Sequence, residues 1–202
     1  MDFLRRATVN PRRLGVFPGA FNPPTRAHIA LAKAALSHVD EVVLVLPRAF
    51  PHKEWEGAGF DDRVRMLERC ARAEPRFSIA ASERGLFIEI ARECRAEYGA
   101  VDLWFLCGAD AAERIVNWDY GEPGAIGGQL REYGLLVAPR RSEWSAPAAL
   151  TERVVSLVPA ESCEDISSTA VRSRVRAGKP WEHLVPDEIV EIVREVYGAQ
   201  GR

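Results

Sequence analysis

The feature that most restricts the fold is a pair of short, almost wholly apolar runs, EVVLVL at residues 41–46 and VDLWFLC at 101–107, set among amphipathic helical patterns. A strand apolar at nearly every position has to be buried on both faces, as strands are in parallel sheets covered by helices on either side. The rest of the chain repeats the alternation. Residues 14–17 (LGVF) read as a first strand, and 25–37, rich in Ala and Leu, as a helix. A helix over 60–73 carries Val64, Leu67 and Cys70 at helical spacing, and a strand at 77–81 and a helix at 86–98 precede VDLWFLC. A short helix at 111–116, strands at 135–138 and 154–158, and helices at 170–177 and 186–197 complete the reading. Residues 52–59 and 117–128 read as long loops. Such alternation predicts right-handed βαβ units and hence an α/β fold, a doubly wound, mainly parallel sheet with helices on both faces. Ligands in such sheets bind beyond the carboxyl ends of the strands, at a switch in strand order. Residues that follow strands are therefore the candidates for function.

At 202 residues the chain is the size of one large domain. We expect that domain over 14–202, preceded at 1–13 by a basic, flexible extension in which Arg5, Arg6, Arg12 and Arg13 surround Asn10-Pro11. A net charge of -2 leaves no global positive field of the kind duplex nucleic-acid binders use. No apolar run approaches the ~20 residues needed to span a bilayer, and no apolar h-region follows the basic start. Cys70, Cys94, Cys107 and Cys163 are widely spaced, without C-x-x-C pairing, and read as reduced thiols rather than a disulfide or zinc framework. These features point to a cytoplasmic protein without nucleic-acid or membrane partners. Nothing in them sets an oligomeric state.

Two constellations carry chemistry. Directly after the first strand comes Pro18-Gly19-Ala20-Phe21-Asn22-Pro23-Pro24-Thr25-Arg26-Ala27-His28. Gly19 and Ala20 allow close approach to the backbone, Pro23 and Pro24 keep the entry extended, and Thr25 is a natural N-cap. His28, three residues on, shares a face of the first turn with Thr25. A hydroxyl, an imidazole and the unpaired N–H groups of a helix start then converge as an anion site. Near the other end, Asp165-Ile166-Ser167-Ser168-Thr169-Ala170-Val171-Arg172 opens a second short helix with hydroxyls and a guanidinium in its first turn. Taken alone, that run is just an ordinary N-cap, and its pairing with the first constellation is what points to phosphate.

GAFNPPTRAH resembles the G-x-F-[DN]-P-x-[HT]-x-x-H signature of the nucleotidyltransferase superfamily, and ISSTxxR is similar to the second signature of the nicotinamide/nicotinate mononucleotide adenylyltransferase family. The following AGKPWEHLVPDEIVEIV resembles that family's C-terminal segment. The resemblance implies a Rossmann-like fold whose C-terminal helices complete the nucleotide site. It further implies adenylyl transfer from ATP, carried with Mg2+, to a pyridine mononucleotide, with no protein-held metal. His28, Thr25 and Arg172 are the implied catalytic residues. Gly19, Ala20, Phe21, Asn22, Ile166, Ser167, Ser168 and Thr169 are implied for ATP.

For the acceptor, the resemblance implies Lys53 in Pro51-His52-Lys53, Gly108 and Asp110 in Gly108-Ala109-Asp110, Asn117 and Trp118, and Arg140 after LLVAP. Several keep a second reading: Lys53 as a loop lysine, Asp110 as a helix N-cap, Trp118 as core, and Arg141 in place of Arg140. Two departures bear on the pyridine. Thr25 stands where many bacterial nicotinate-mononucleotide enzymes carry histidine, and the Phe-Asn-Pro…Thr combination is more like the nicotinamide-mononucleotide enzymes. Glu83-Arg84-Gly85-Leu86-Phe87-Ile88 replaces the S-Y-T-x-x-T stretch. Alternative readings are a superfamily enzyme using CTP or another phosphorylated acceptor, and an inactive nucleotide-binding module.

Overall fold

The computed structural model of the chain describes residues 1–48, 57–83, 85–117, 125–138, 146–158, 163 and 165–198. Seven strands form one sheet: β1 (Asp2–Arg5), β2 (Arg13–Pro18), β3 (Glu41–Pro47), β4 (Phe77–Ser82), β5 (Asp102–Gly108), β6 (Gly134–Ala138) and β7 (Val154–Ser156). Their order is β1-β4-β3-β2-β5-β6-β7. Every pairing is parallel except that of β1 with β4. Without β1, the six parallel strands follow the 3-2-1-4-5-6 order of dinucleotide-binding folds, and the direction of winding reverses between β2 and β5.

The sheet is buried on both faces, as EVVLVL and VDLWFLC require. Val43, Val45, Leu103, Phe105 and Cys107 point to one face, beneath α3 (Phe87–Tyr98), α4 (Ala109–Asn117) and α5 (Ala125–Glu132). Val42, Leu44, Leu46, Trp104 and Leu106 point to the other, beneath α1 (Arg26–Ala35) and α2 (Phe60–Ala71). A third apolar cluster joins α2, through Met66 and Cys70, to α6 (Ser168–Arg176) and α7 (Val190–Gly198), with Trp181, Leu184 and Val185 between them. Cys70, Cys94 and Cys107 are free and buried, and burial pushes each thiol up to about 12. No helix among the described residues is long and apolar enough to cross a membrane.

Four details differ from the sequence reading. The basic opening, expected to be flexible, contains an edge strand over Asp2–Arg5. Phe3 packs edge-on against Tyr98, and Arg6 lies over its ring at 3.9 Å, so the extension covers the flank of β4. The last four residues of the expected 117–128 loop begin α5, in which Gly127 and Gly128 are helical. The α4 helix starts at Ala109 rather than residue 111, placing Asp110 inside its first turn and not at an N-cap. The last expected helix divides into a short 3-10 turn, Asp187–Ile189, and α7.

Candidate active site

The loop between β2 and α1 emerges where the winding of the sheet reverses. The register Val16↔Phe105 carries β2 and β5 forward side by side, so Pro18 and Gly108 leave the sheet at the same end. The Gly19 N–H donates to the Val45 carbonyl at 3.0 Å and holds the loop down on β3. Phe21 is buried in a left-handed conformation (φ 46°), and its ring packs edge-on against Phe17 and His28. A Cβ at position 19 would stand 2.9 Å from that ring, so glycine is needed there for side-chain packing. The Asn22-Pro23 peptide is cis.

Thr25 and His28 form a reciprocal capping box at the start of α1. The Thr25 hydroxyl accepts from the His28 backbone N–H, and His28 Nδ1 accepts from the Thr25 backbone N–H at 3.0 Å. The two side chains also touch, with Oγ1 2.6 Å from Nδ1. An Nδ1 that accepts a backbone N–H carries no proton, so the neutral ring is protonated at Nε2. Local helix-capping geometry thereby makes the distal nitrogen of a half-buried imidazole a hydrogen-bond donor.

The second constellation docks onto the first. Ser167 is the N-cap of α6 and accepts from the Ala170 N–H at 3.1 Å. The Ser168 hydroxyl donates to the Pro23 carbonyl at 2.8 Å, and Arg172 Nη1 donates to the Asn22 carbonyl at 2.7 Å. No carboxylate pairs with Arg172 among the described residues. Ile166 is half-buried and Thr169 exposed at the same helix start. Two helix N-termini, an imidazole and a guanidinium thus flank one loop, an arrangement suited to holding a polyanion.

The structure also shows supports that sequence reasoning missed. Arg63, buried on α2, donates to the Ala20 carbonyl at 3.1 Å and to the Gly59 carbonyl at 3.4 Å. Burial lowers the pKa of its guanidinium. Asn22 turns its side chain inward, where Oδ1 accepts from the Ala58 N–H at 3.0 Å and from the Tyr197 hydroxyl. Burial pushes the Tyr197 hydroxyl pKa upward, and it remains a donor. Arg26, the first residue of α1, donates to the Val185 carbonyl and pairs with Asp187 at 2.7 Å. The FDDRVRML run, with two Asp and two Arg, carries no sign that Arg63 is the arginine turned inward.

On the neighbouring strand, Gly108 ends β5, and a Cβ placed there would meet nothing within 4 Å, so open space adjoins it. Asp110 is exposed in the first turn of α4, and Asn117 is exposed at its last residue, about 10 Å further along the axis. Lys53, Trp118 and Arg140, together with His52 and Arg141, lie outside the described residues. Among the described residues no group of three or more His, Cys, Asp or Glu could hold a metal ion.

Known proteins resemble this chain over most of its length. A cytidylyltransferase-like family model matches residues 16–174, spanning both constellations. A relative from Gloeobacter violaceus, named a probable nicotinate-nucleotide adenylyltransferase, is 31% identical over 91% of this chain and 94% of its own length. One from Thermus thermophilus with the same name is 30% identical over 92% of this chain and 98% of its own. Among solved structures, a Plasmodium falciparum nicotinic acid mononucleotide adenylyltransferase complexed with NaAD superposes with a TM-score of 0.65 at 17% identity, covering 89% of this chain and 95% of that one, a likeness of fold. The chain belongs to the cytidylyltransferase-like family, among relatives named nicotinate-nucleotide adenylyltransferase.

Proposed function

We propose that this protein transfers the adenylyl group of ATP to the phosphate of nicotinate mononucleotide, releasing pyrophosphate and forming the dinucleotide of NAD biosynthesis. The observation that carries this reading is the docking of Arg172 and Ser168 onto the carbonyls of Asn22 and Pro23, beside the Thr25–His28 capping box. That contact makes one anion site from two segments at opposite ends of the chain. The relatives named for nicotinate nucleotide, aligned over more than nine-tenths of this chain, support that acceptor.

The chemistry needs little from the protein beyond placement and charge. The second ionisation of a phosphate monoester lies near ~6, so the acceptor is already a nucleophile at neutral pH. Its oxygen attacks the α-phosphorus while the bond to pyrophosphate breaks, and the electron pair leaves with pyrophosphate. His28 Nε2–H donates to an α-phosphoryl oxygen as its charge shifts, and the capping box keeps the ring turned for that bond. Arg172 and the start of α6, with Ser167, Ser168 and Thr169, hold the β- and γ-phosphates, where a guanidinium already anchored by one nitrogen loses little further freedom. Gly108 admits the acceptor against the backbone, and Asp110 accepts from a ribose hydroxyl. Lys53 and Arg140 screen the acceptor phosphate, while Trp118, beside Asn117, stacks on the pyridine. Magnesium enters as part of the MgATP substrate. A cytoplasmic location suits free thiols and nucleotide substrates.

The test is a product assay with purified protein. MgATP is offered with nicotinate or nicotinamide mononucleotide, CTP replaces ATP in parallel, and dinucleotide and pyrophosphate are separated by chromatography. Dinucleotide from ATP and nicotinate mononucleotide is the expected result. Product from CTP only, or ATP binding with no pyrophosphate release, would refute the proposal.

A further inference from the structure

The loop that holds the proposed site is gripped from below as well as from the side. Asn22 offers two acceptors in different directions. Its carbonyl takes Arg172, and its side-chain Oδ1 takes both the Ala58 N–H and the Tyr197 hydroxyl. Asn22 is only 5% exposed and Tyr197 only 4%. Gly57 closes the remaining side: its φ is +116°, and a Cβ there would come within 2.5 Å of the Asn22 amide. Three segments far apart in the chain therefore meet at one residue, the 57–58 turn and the end of α7 at its side chain and α6 at its carbonyl.

We propose that Tyr197 is a positioning residue for adenylyl transfer, its hydroxyl fixing the loop from which Arg172, Ser168 and His28 work by way of the Asn22 amide. This inference rests on the function proposed above. A shift of Asn22 moves the carbonyl that anchors Arg172, and the adjoining Pro23 carbonyl moves the anchor of Ser168. Small displacements of groups that meet the migrating charge lower the rate more than they weaken ground-state binding. Packing alone does not explain the hydroxyl. Phenylalanine would fill the same place among Val171, Trp181 and Val193 and leave only the polar contact missing.

Tyr197→Phe in the full chain tests this, assayed well below its melting midpoint. Loss of one buried hydrogen bond predicts a kcat about three- to tenfold lower, with KM for the mononucleotide within about twofold of the parent. Hydrogen exchange should quicken at the amides of residues 19–22 and 57–59. Gly57→Ala presses on the same amide from the other side, so the double variant should lose less than the product of the two single losses. A lowered melting midpoint with unchanged kcat and unchanged exchange at 19–22 would mean that the hydroxyl serves stability alone and would overturn the inference. Should the parent protein make no dinucleotide, the functional reading fails separately. Affinity for α,β-methylene ATP, measured by calorimetry, and the same exchange data then decide the role of Tyr197: no change in either overturns it, and weakened binding with faster exchange upholds it.

Discussion

Arginines cluster at both ends of the sheet, and they are partnered differently. At the carboxyl ends of the strands, Arg172 leans on the carbonyl of Asn22, and Arg63 donates to those of Ala20 and Gly59. At the amino ends, arginines meet carboxylates. Arg153 and Arg13 flank the Trp104 ring at 4.6 and 4.9 Å, and both reach Asp102, which also accepts from the indole N–H at 2.6 Å. Burial raises the pKa of Asp102, but the hydrogen bonds from Trp104 and Arg153 and the nearby positive charges outweigh it and leave that pKa lowered. An arginine neutralised by a carboxylate has its charge already answered. One held by carbonyls is fixed in place while its charge remains available to a ligand. Among these four arginines the partner thus separates cations that stabilise from cations that can bind, whereas Arg26 and Arg48, near the carboxyl ends, are paired with carboxylates.

Mutations at the two ends should therefore differ in kind, with activity moving at one and stability at the other. The largest effect is expected from His28→Ala. Removing the donor at the charge-shifting oxygen should lower kcat by about 10²–10³-fold and alter the KM for ATP far less. A variant within a few-fold of the parent in turnover would end the case for this histidine. Next comes Arg172→Lys, which keeps the charge but cannot hold both the Asn22 carbonyl and a phosphate in one planar fork. Dinucleotide synthesis at saturating MgATP should fall by at least about tenfold, or ~1.4 kcal/mol, with an unchanged melting temperature.

At the amino ends, Glu41→Gln should leave activity alone. Glu41 is buried and accepts from the Ser78 and Tyr98 hydroxyls at 2.5 and 2.6 Å. Burial raises its pKa more than those hydrogen bonds lower it. With a folded value above the unfolded one, its favourable contribution is complete below the unfolded value of about 4.5 and is lost as pH rises through the folded value. The variant should therefore gain on the parent as pH rises, the difference in melting temperature shifting in its favour between pH 4 and 8. A constant gap would show that Glu41 does not titrate this way.

The smallest effect is expected for Asp40→Asn. Its carboxylate accepts from the Arg13 and Arg12 backbone N–H groups, which lower its pKa. That contribution is present above the unfolded value of about 3.8 and disappears as pH falls through the lower folded value. Melting temperature should drop slightly at pH 7 and converge on the parent's as pH falls below the folded value, as calorimetry can check.

The same contrast governs what could be read from the sequence. Apolar runs announced β3 and β5, and the three-residue spacing of Thr25 and His28 announced a shared helix face, because both depend on periodicity along one segment. β1 was hidden: its alternation lasts four residues and is flanked by arginines, and its burial depends on Tyr98 beneath it. The glycines of α5 concealed a helix whose stability comes from Leu130 packing on the sheet rather than from propensity. Arg63 and Tyr197 were illegible for another reason. Their partners are a carbonyl and an amide in a distant loop, and a sequence does not record which backbone groups a turn leaves facing inward.

The buried thiols make the separate parts of this molecule addressable. Cys94 and Cys107 lie under the helices on one face of the sheet, whereas Cys70 belongs to the cluster that seats α6 and α7. Burial keeps all three in the unreactive thiol form, with values near 12, so an alkylating reagent reaches them only when their surroundings open. With the half-buried Cys163 replaced by serine, the labelling rate at Cys70 reports the detachment of the C-terminal helices, and the rates at Cys94 and Cys107 report the opening of the sheet. Labelling at position 70 ahead of the other two would show that the α6 side of the proposed anion site can separate from an intact sheet. Slower labelling there when ATP is added would record, in the native chain, how firmly the nucleotide joins the two.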